Sequence, residues 1–349
     1  MRPVLLEYIC CPVCKSPLIL QDEKQDKSGS IFTGVLKCKA CNNRYPIINS
    51  IPRFVEFAKK DINVSVWGEH WKKFGKGNVY DISAKLTAEG IIANGITKQI
   101  NPQEDKNFFF SYFKNKIVCD LGCGSGQNIN LAYSAGARLT LAIDASEDID
   151  VSYGKYREDD TIQFIQADIN KLPLKDEVVD FVYSIGVIHH VKDPKTSIKK
   201  IEPVLKKDGY FAFTILKKEC FLGKIHQKLN PLKPLILKIP KLVLMSVSVI
   251  LALLLKVALI FYKIVSYLGD KMVELLPYNK IILQDIYYLS FANLVGFWYD
   301  VLIAPVYHVF TPDEWRNWLQ GAGFKIKKFN DYGQKGEPSG VFWKIVVIK

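Results

Sequence analysis

"KIVCDLGCGSGQNINLAYSAG", residues 116–136, decides how the rest of the chain is read. It opens on a short apolar run, Ile117 to Cys119, and reaches a carboxylate at Asp120. Three alternate glycines, Gly122, Gly124 and Gly126, follow, and then a helical pattern. Glycine lets a backbone turn sharply and approach a ligand closely. The spacing is GxGxG, and Gln127 stands where a dinucleotide fingerprint needs its third glycine. A carboxylate directly before the turn suits a cationic ligand better than a pyrophosphate, which it would repel.

Working outward, strand-like and helix-like stretches alternate. "RLTLAIDAS" reads as a second strand ending in Asp144, where an acidic side chain can accept both hydroxyls of a ribose. "IQFIQADI" is a third, ending in Asp168, although aspartate there can equally cap a turn. "VVDFVYSIGVIHH" is a fourth, followed by a helix from about Asp193 to Leu205, and "GYFAFTIL" is a fifth. Near the end come a helix, "TPDEWRNWLQGAGF", and two strands, "FKIKKFN" and "VFWKIVVIK". Alternation of this kind implies an α/β fold with a largely parallel sheet and helices on both faces. Ligands then sit at the carboxyl ends of the strands.

"CDLGCGSG", "AIDAS", "QADI" and "VDFVYSIGVIHHV" resemble, in order, the motifs of class I S-adenosylmethionine-dependent methyltransferases. The resemblance spans residues 115–215 and resumes at 311–349. It implies a Rossmann-like doubly wound sheet with a terminal antiparallel strand pair. It further implies that Asp120, Gly122, Cys123, Gly124 and Gly126 cradle the methionine end of the cofactor. Asp144 and Ala145 would hold the ribose, Asp168 and Ile169 would frame the adenine, and Ser184 and Ile185 would lie beside the methyl group. His189 and His190 end the fourth strand and should point to opposite faces. Either can serve as the catalytic base, since histidine takes a proton at neutral pH.

The chain's start has a different character. Cys11-Pro-Val-Cys14 and Cys38-Lys-Ala-Cys41 are two CxxC knuckles, the arrangement that closes a structural tetrahedral Zn2+ site. Cys10 is an alternative to Cys11 as ligand. "LLEYICCPVCKSPL" and "LKCKACNNRYPIINSIPRFV" resemble the small zinc-ribbon domain of the tRNA-methyltransferase activator family. Five of eight cysteines crowd into this region and no signal peptide is recognisable, so a reducing cytosolic compartment is expected.

The formal charge of +12 points to an anionic partner. Seven lysines between Lys217 and Lys241 face Glu219 alone and carry half of that excess. They lead into "KLVLMSVSVILALLLKVALIFYK", residues 241–263, which is long enough to span a bilayer. A single crossing is excluded, because sheet strands lie on both sides of it in the sequence. At ~100° per residue, Lys241, Met245, Ser248, Ala252, Lys256 and Lys263 form one stripe, opposite a wide apolar face. That pattern describes an interfacial helix, a protein cap over the active site, or one arm of a hairpin.

The sequence divides into a zinc ribbon at 1–60, a linker and helical lead-in at 61–115, a methyltransferase core at 116–216, an apolar helical insertion at 217–310 and the end of the core at 311–349. The fourth strand lacks the Asn/Asp-Pro-Pro-aromatic turn of enzymes acting on amide or base nitrogens, and the cations and aromatics of the insertion sit in separate blocks. These features favour O- or C-methylation of a hydrophobic or lipid-linked small molecule, with nucleic acid unlikely as a partner. They also favour a cytoplasmic enzyme held peripherally on the cytoplasmic membrane face. The rival readings are an RNA or translation-factor methyltransferase and a noncatalytic zinc scaffold.

Overall fold

The computed structural model describes residues 1–27, 29–55, 112–216, 218, 221–267, 290–305, 307–331 and 342–349. The expected lead-in at 61–115 lies almost wholly outside the described residues.

The chain begins with a four-stranded antiparallel sheet: β1 (Leu18–Gln25), β2 (Ile31–Cys38), β3 (Arg44–Ile48) and the two-residue β4 (Ile51–Pro52). The polar segment between the knuckles is absorbed by the β1–β2 hairpin.

The main sheet has seven strands. They are β5 (Ile117–Leu121), β6 (Leu139–Asp144), β7 (Ile162–Gln166), β8 (Val179–Ser184), β9 (Leu205–Leu216), β10 (Lys325–Asp331) and β11 (Phe342–Ile348). Their order is β10-β11-β9-β8-β5-β6-β7. Strands β5 to β9 are parallel. β10 and β11 make the expected antiparallel pair, and β11 runs antiparallel to β9 as well. β5 and β7 are buried along their whole length, and β6 and β8 at all but one residue each, as a sheet covered on both faces requires. From β5 the chain winds out through β6 to β7, then returns to β8 on the other side. The switch point between β5 and β8 is where a doubly wound sheet opens a crevice at its carboxyl edge.

Helices α1 (Ile129–Ser134), α2 (Ile149–Tyr156) and α3 (Pro194–Ile201) follow β5, β6 and β8. α3 starts where Asp193 accepts a hydrogen bond from Thr196 N at 3.0 Å with Pro194 in the first turn, an N-cap and N1 proline arrangement. The insertion contributes α4 (Phe221–Leu229), a short helix at Lys233–Ile236, α5 (Lys241–Tyr267) and α6 (Phe291–Ile303). α7 (Pro312–Gly321) carries a capping box between Thr311 and Glu314 and leads into β10.

Two expectations are corrected. β8 ends at Ser184, because Gly186 turns the chain with φ +74°. His189 and His190 therefore sit in a 3-10 turn, Ile188–His190, with ring centroids 4.2 Å apart, rather than on opposite faces of a strand. In α5, Ser248 and Ala252 are fully buried. Ala252 packs against Leu294 and Val295 of α6, so this part of the stripe faces protein, while Lys241 at its start is exposed.

The N-terminal sheet is fastened to the main one. Arg53 bridges in parallel to Gln166, and Phe54 N donates to Gln166 O at 2.8 Å, which covers the free edge of β7. Lys15 Nζ donates to Leu172 O and Leu174 O, and Lys175 Nζ returns the contact to Leu6 O and Glu7 O.

Candidate active site and cysteine centre

A cavity of about 200 Å³ opens at the switch point. Each of the first four core strands supplies part of its wall. After β5 come Gly122, Cys123 and Gly124; after β6, Asp144, Ala145 and Ser146. Asp168 and Ile169 follow β7, and Ile185, His190 and Lys192 follow β8.

The glycine turn is fixed by its neighbours. Gly122 has φ +85°, and a Cβ there would lie 2.4 Å from a Val187 methyl. Gly122 N and Cys123 N both donate to Ile143 O, so the turn is laced to the end of β6. Gly126 has φ +86°, and a Cβ there would meet Ser152 Oγ at 2.5 Å. Gly126 is not on the cavity wall; its requirement comes from packing against α2.

Asp144 is half-buried on the wall. Its Oδ2 accepts from Gly124 N at 2.8 Å, and its Oδ1 accepts from Ser146 N and Oγ, each at 2.7 Å. A carboxylate has about four acceptor sites, so one remains open and the Ser146 hydroxyl can rotate away to free another. Asp168 does two things. It accepts from Asn170 N at 2.8 Å, capping a 3-10 turn, and it is exposed on the cavity wall.

Asp120, Ser184 and His189 stand behind the wall rather than on it. Ser184 Oγ donates to Leu121 O at 2.8 Å and pins β8 to β5 at the switch point. Asp120 is buried, and neither carboxylate oxygen accepts a hydrogen bond. Burial raises its pKa well above the carboxylate range; the Tyr183 hydroxyl opposes the rise and Asp144 adds to it. His189 is fully buried, and burial with the nearby His226 and His308 lowers its pKa to about 3. It is a neutral imidazole at physiological pH. Of the two candidate bases, only His190 reaches the cavity.

Sequence reasoning missed the aromatic backing of that histidine. Tyr307 lies edge-on to His190 at 4.4 Å and stacks on buried His226 at 3.5 Å. Four of the five histidines, His189, His190, His226 and His308, gather in this region. The run "APVYHVF" at 304–310 was the available signal.

At the N-terminus, the Sγ atoms of Cys11, Cys14, Cys38 and Cys41 all lie within 4.8 Å of one another. Lys15 and Asn42, each directly after a knuckle's second cysteine, both have φ 59°, so the two knuckles turn alike. Cys10 is excluded as a ligand: its thiol donates to Leu174 O at 3.1 Å, and burial raises its pKa to about 11.

Residues 119–213 match the model of the methyltransferase domain, and residues 2–50 that of Trm112p-like proteins. The chain thus carries a methyltransferase domain with a Trm112p-like segment in front of it. A tRNA U34 carboxymethyltransferase of Vibrio campbellii is 32% identical over 103 residues, 28% of this chain and 32% of that protein. An uncharacterized chloroplastic methyltransferase of Arabidopsis thaliana is 24% identical over 219 residues, 60% of this chain and 61% of that one. Among solved structures, a complex of the Haloferax volcanii Trm112 methyltransferase activator with a methyltransferase has a TM-score of 0.44 at 13% identity, covering 81% of this chain and 96% of the other. The chain thus spans about a third of the length of the tRNA-named relatives it matches.

These findings correct the expected acceptor. Relatives named for tRNA, together with the Trm112p-like match, overturn the small-molecule or lipid-linked acceptor and the exclusion of nucleic acid. The absence of a proline-rich turn on β8 was given too much weight. It describes how some enzymes hold a planar nitrogen and does not exclude RNA as a class.

Proposed function

We propose that this chain is an S-adenosylmethionine-dependent methyltransferase acting on RNA, with tRNA the first substrate to test. One observation carries the reading: relatives named tRNA U34 carboxymethyltransferase match 103 residues of this chain at 32% identity, and a Trm112p-like match at residues 2–50 stands in front of the methyltransferase domain at 119–213. Charge supports it. Lys192 at the cavity and exposed Lys195, Lys199 and Lys200 on α3 form a basic ridge suited to phosphates.

The residues present fit the cofactor. A buried carboxylate without a hydrogen-bond partner stands behind the turn at Asp120, and a second, half-open one lies on the wall at Asp144. A third, Asp168, is exposed, and Gly122 and Gly124 leave room for close approach. Bound S-adenosylmethionine supplies a methyl group on a sulfonium sulfur, which passes in-line to the acceptor. Asp144 would hold the ribose hydroxyls, and Ile169 and Asp168 would frame the adenine. Ile185 borders the acceptor side, where His190 holds or takes the acceptor's proton. His189, neutral and behind it, positions that ring. Most of the rate then comes from placing two substrates together. Cys11, Cys14, Cys38 and Cys41 would hold one structural Zn2+, with no position left for chemistry.

The test is transfer of radiolabelled methyl from S-adenosylmethionine into separate pools of tRNA, ribosomal RNA, protein and lipid extract. Label that ribonuclease releases from tRNA, and that Asp144→Asn abolishes, is expected. Label confined to protein or lipid overturns the RNA reading.

A further inference from the structure

α5 packs one face against α6 and leaves the opposite face, made of large aliphatic side chains, exposed. Leu244, Ser248, Ala252 and Leu259 form the buried line of α5. Leu244 meets Tyr299 and Ile303 of α6, and Ala252 meets Leu294 and Val295. The opposite face shows Leu242 at 80%, Leu254 at 61%, Val257 at 59% and Phe261 at 63% exposure, with Ile250 and Leu253 between them. At ~100° per residue these side chains share one broad arc, and over 20 residues it runs about 30 Å. Only 22% of the apolar window is buried. Among the described residues nothing covers that face.

A soluble monomer rarely exposes a contiguous apolar patch of this kind. Ser248 and Ala252 are the small residues of the α5 contact line, and a small residue at a helix contact with large aliphatics on the free face suits lipid. The patch continues through Leu232, Leu235 and Ile239, and exposed Lys224, Lys228 and Lys238 lie along the same approach.

We infer that this face docks on an anionic phospholipid bilayer, with α5 in the headgroup boundary and the flanking lysines on the phosphates. Among the described residues no second helix is long enough for a spanning hairpin. α6 has 13 residues, about 20 Å of helix, against a hydrocarbon core of about 30 Å. β9 before the insertion and β11 after it pair in one sheet, so the chain must return to the side it left. The docked enzyme is therefore peripheral, with both ends of the insertion on one side of the bilayer. The insertion also reaches the layer behind the active-site wall, since His308 N donates to His189 O at 2.8 Å.

The test is flotation of the full chain with vesicles of pure phosphatidylcholine and of phosphatidylcholine with phosphatidylglycerol. Wild type should float with the anionic vesicles, and moderate salt should reduce the floated fraction. Ile250→Glu/Leu253→Glu/Val257→Glu should cut flotation roughly tenfold by placing charge in the apolar boundary. S-adenosylhomocysteine binding, measured by calorimetry, should stay intact in that variant and report its folding. A Leu253→Trp variant of the otherwise native chain should be quenched by lipids brominated on their acyl chains. Wild type remaining unbound to both vesicles overturns the inference. So does a dimer in light scattering that the triple substitution dissociates, because a second copy would then be the occupant.

Discussion

Arg53, at the end of the cysteine module, clasps Asp150 of the methyltransferase core with both terminal nitrogens: Nη1 to Oδ2 at 3.0 Å and Nη2 to Oδ1 at 2.6 Å. The guanidinium is 4% exposed and its partner 39%. It also donates to Gln166 Oε1 across the junction and to Ile48 O within its own module, so three acceptors of the core and one of the module hold one cation. Asp150 lies on α2, the helix that follows Asp144. The junction therefore ties the cysteine module to the element that carries the cofactor's ribose position.

Removing that cation should loosen the module. Arg53→Ala leaves Gln166 and Asp150 without their donor, and a half-exposed carboxylate lowers the cost below that of a fully buried pair. About 2 kcal/mol is expected. Arg53→Lys should not restore it, because a lysine cannot form the two-pronged contact. Urea unfolding measures both. A loss for Arg53→Ala within 0.5 kcal/mol, roughly the noise of a surface change, would show the junction to be passive.

Gly122→Ala tests the cradle. The added methyl meets Val187 at 2.4 Å on a backbone at φ +85°, so the turn must open. Affinity for S-adenosylhomocysteine should fall by at least about tenfold, since backbone strain alone costs about 1–3 kcal/mol. Gly122→Ala/Val187→Ala removes the clash but not the strain, and should recover only part of the loss. Full recovery in the double variant would assign the glycine to packing alone. Calorimetry reads all three proteins.

Metal content tests the cysteine centre. Four thiolates closing one site predict one zinc per chain by elemental analysis. Chelation should release residues 1–55 to proteolysis before the core, because a small module without its metal has little else to hold its knuckles. Cys38→Ser/Cys41→Ser should lose the metal, while Cys10→Ser should keep it, since that thiol faces Leu174. A metal-free wild-type protein would remove zinc from the account.

The parts of this molecule that the sequence revealed are those dictated locally. The glycine turn, the acidic strand ends and the paired knuckles each need particular residue types at fixed spacing, so they could be read from the chain alone. The histidine geometry could not. It depends on Gly186 ending β8 early, and a strand pattern does not announce its own last residue. Helical periodicity found the Ser248–Ala252 stripe but not its direction, because only the presence of α6 makes that side the inner one. Arg53–Asp150 and His226–Tyr307 join residues 97 and 81 positions apart, a separation at which no local pattern operates.

His226 supplies the pH-dependent prediction. It is fully buried, neither ring nitrogen has a hydrogen-bond partner, and it stacks on Tyr307. Burial, with nearby Lys233 and His190, lowers its pKa to about 2, and that of His189 falls to about 3. Both folded values lie below the ordinary 6.5, so the unfolded chain binds protons that the folded chain refuses. Stability is therefore fully present above pH 6.5 and declines as the pH falls from there towards 3. Each histidine contributes a slope of about 1.4 kcal/mol per pH unit in that window. His226→Phe keeps the stacking ring and removes the titrating group. It should match or exceed wild type at pH 8, where it no longer buries an unsatisfied imidazole, and its advantage should grow by roughly 1 kcal/mol per unit below pH 6. Carboxylates titrate in the same range in both proteins, so the difference between the two curves isolates the histidine. Urea unfolding at pH 5, 6, 7 and 8 measures it. Parallel curves for wild type and His226→Phe would mean that His226 is protonated in the folded protein, and the buried neutral ring would have to be abandoned.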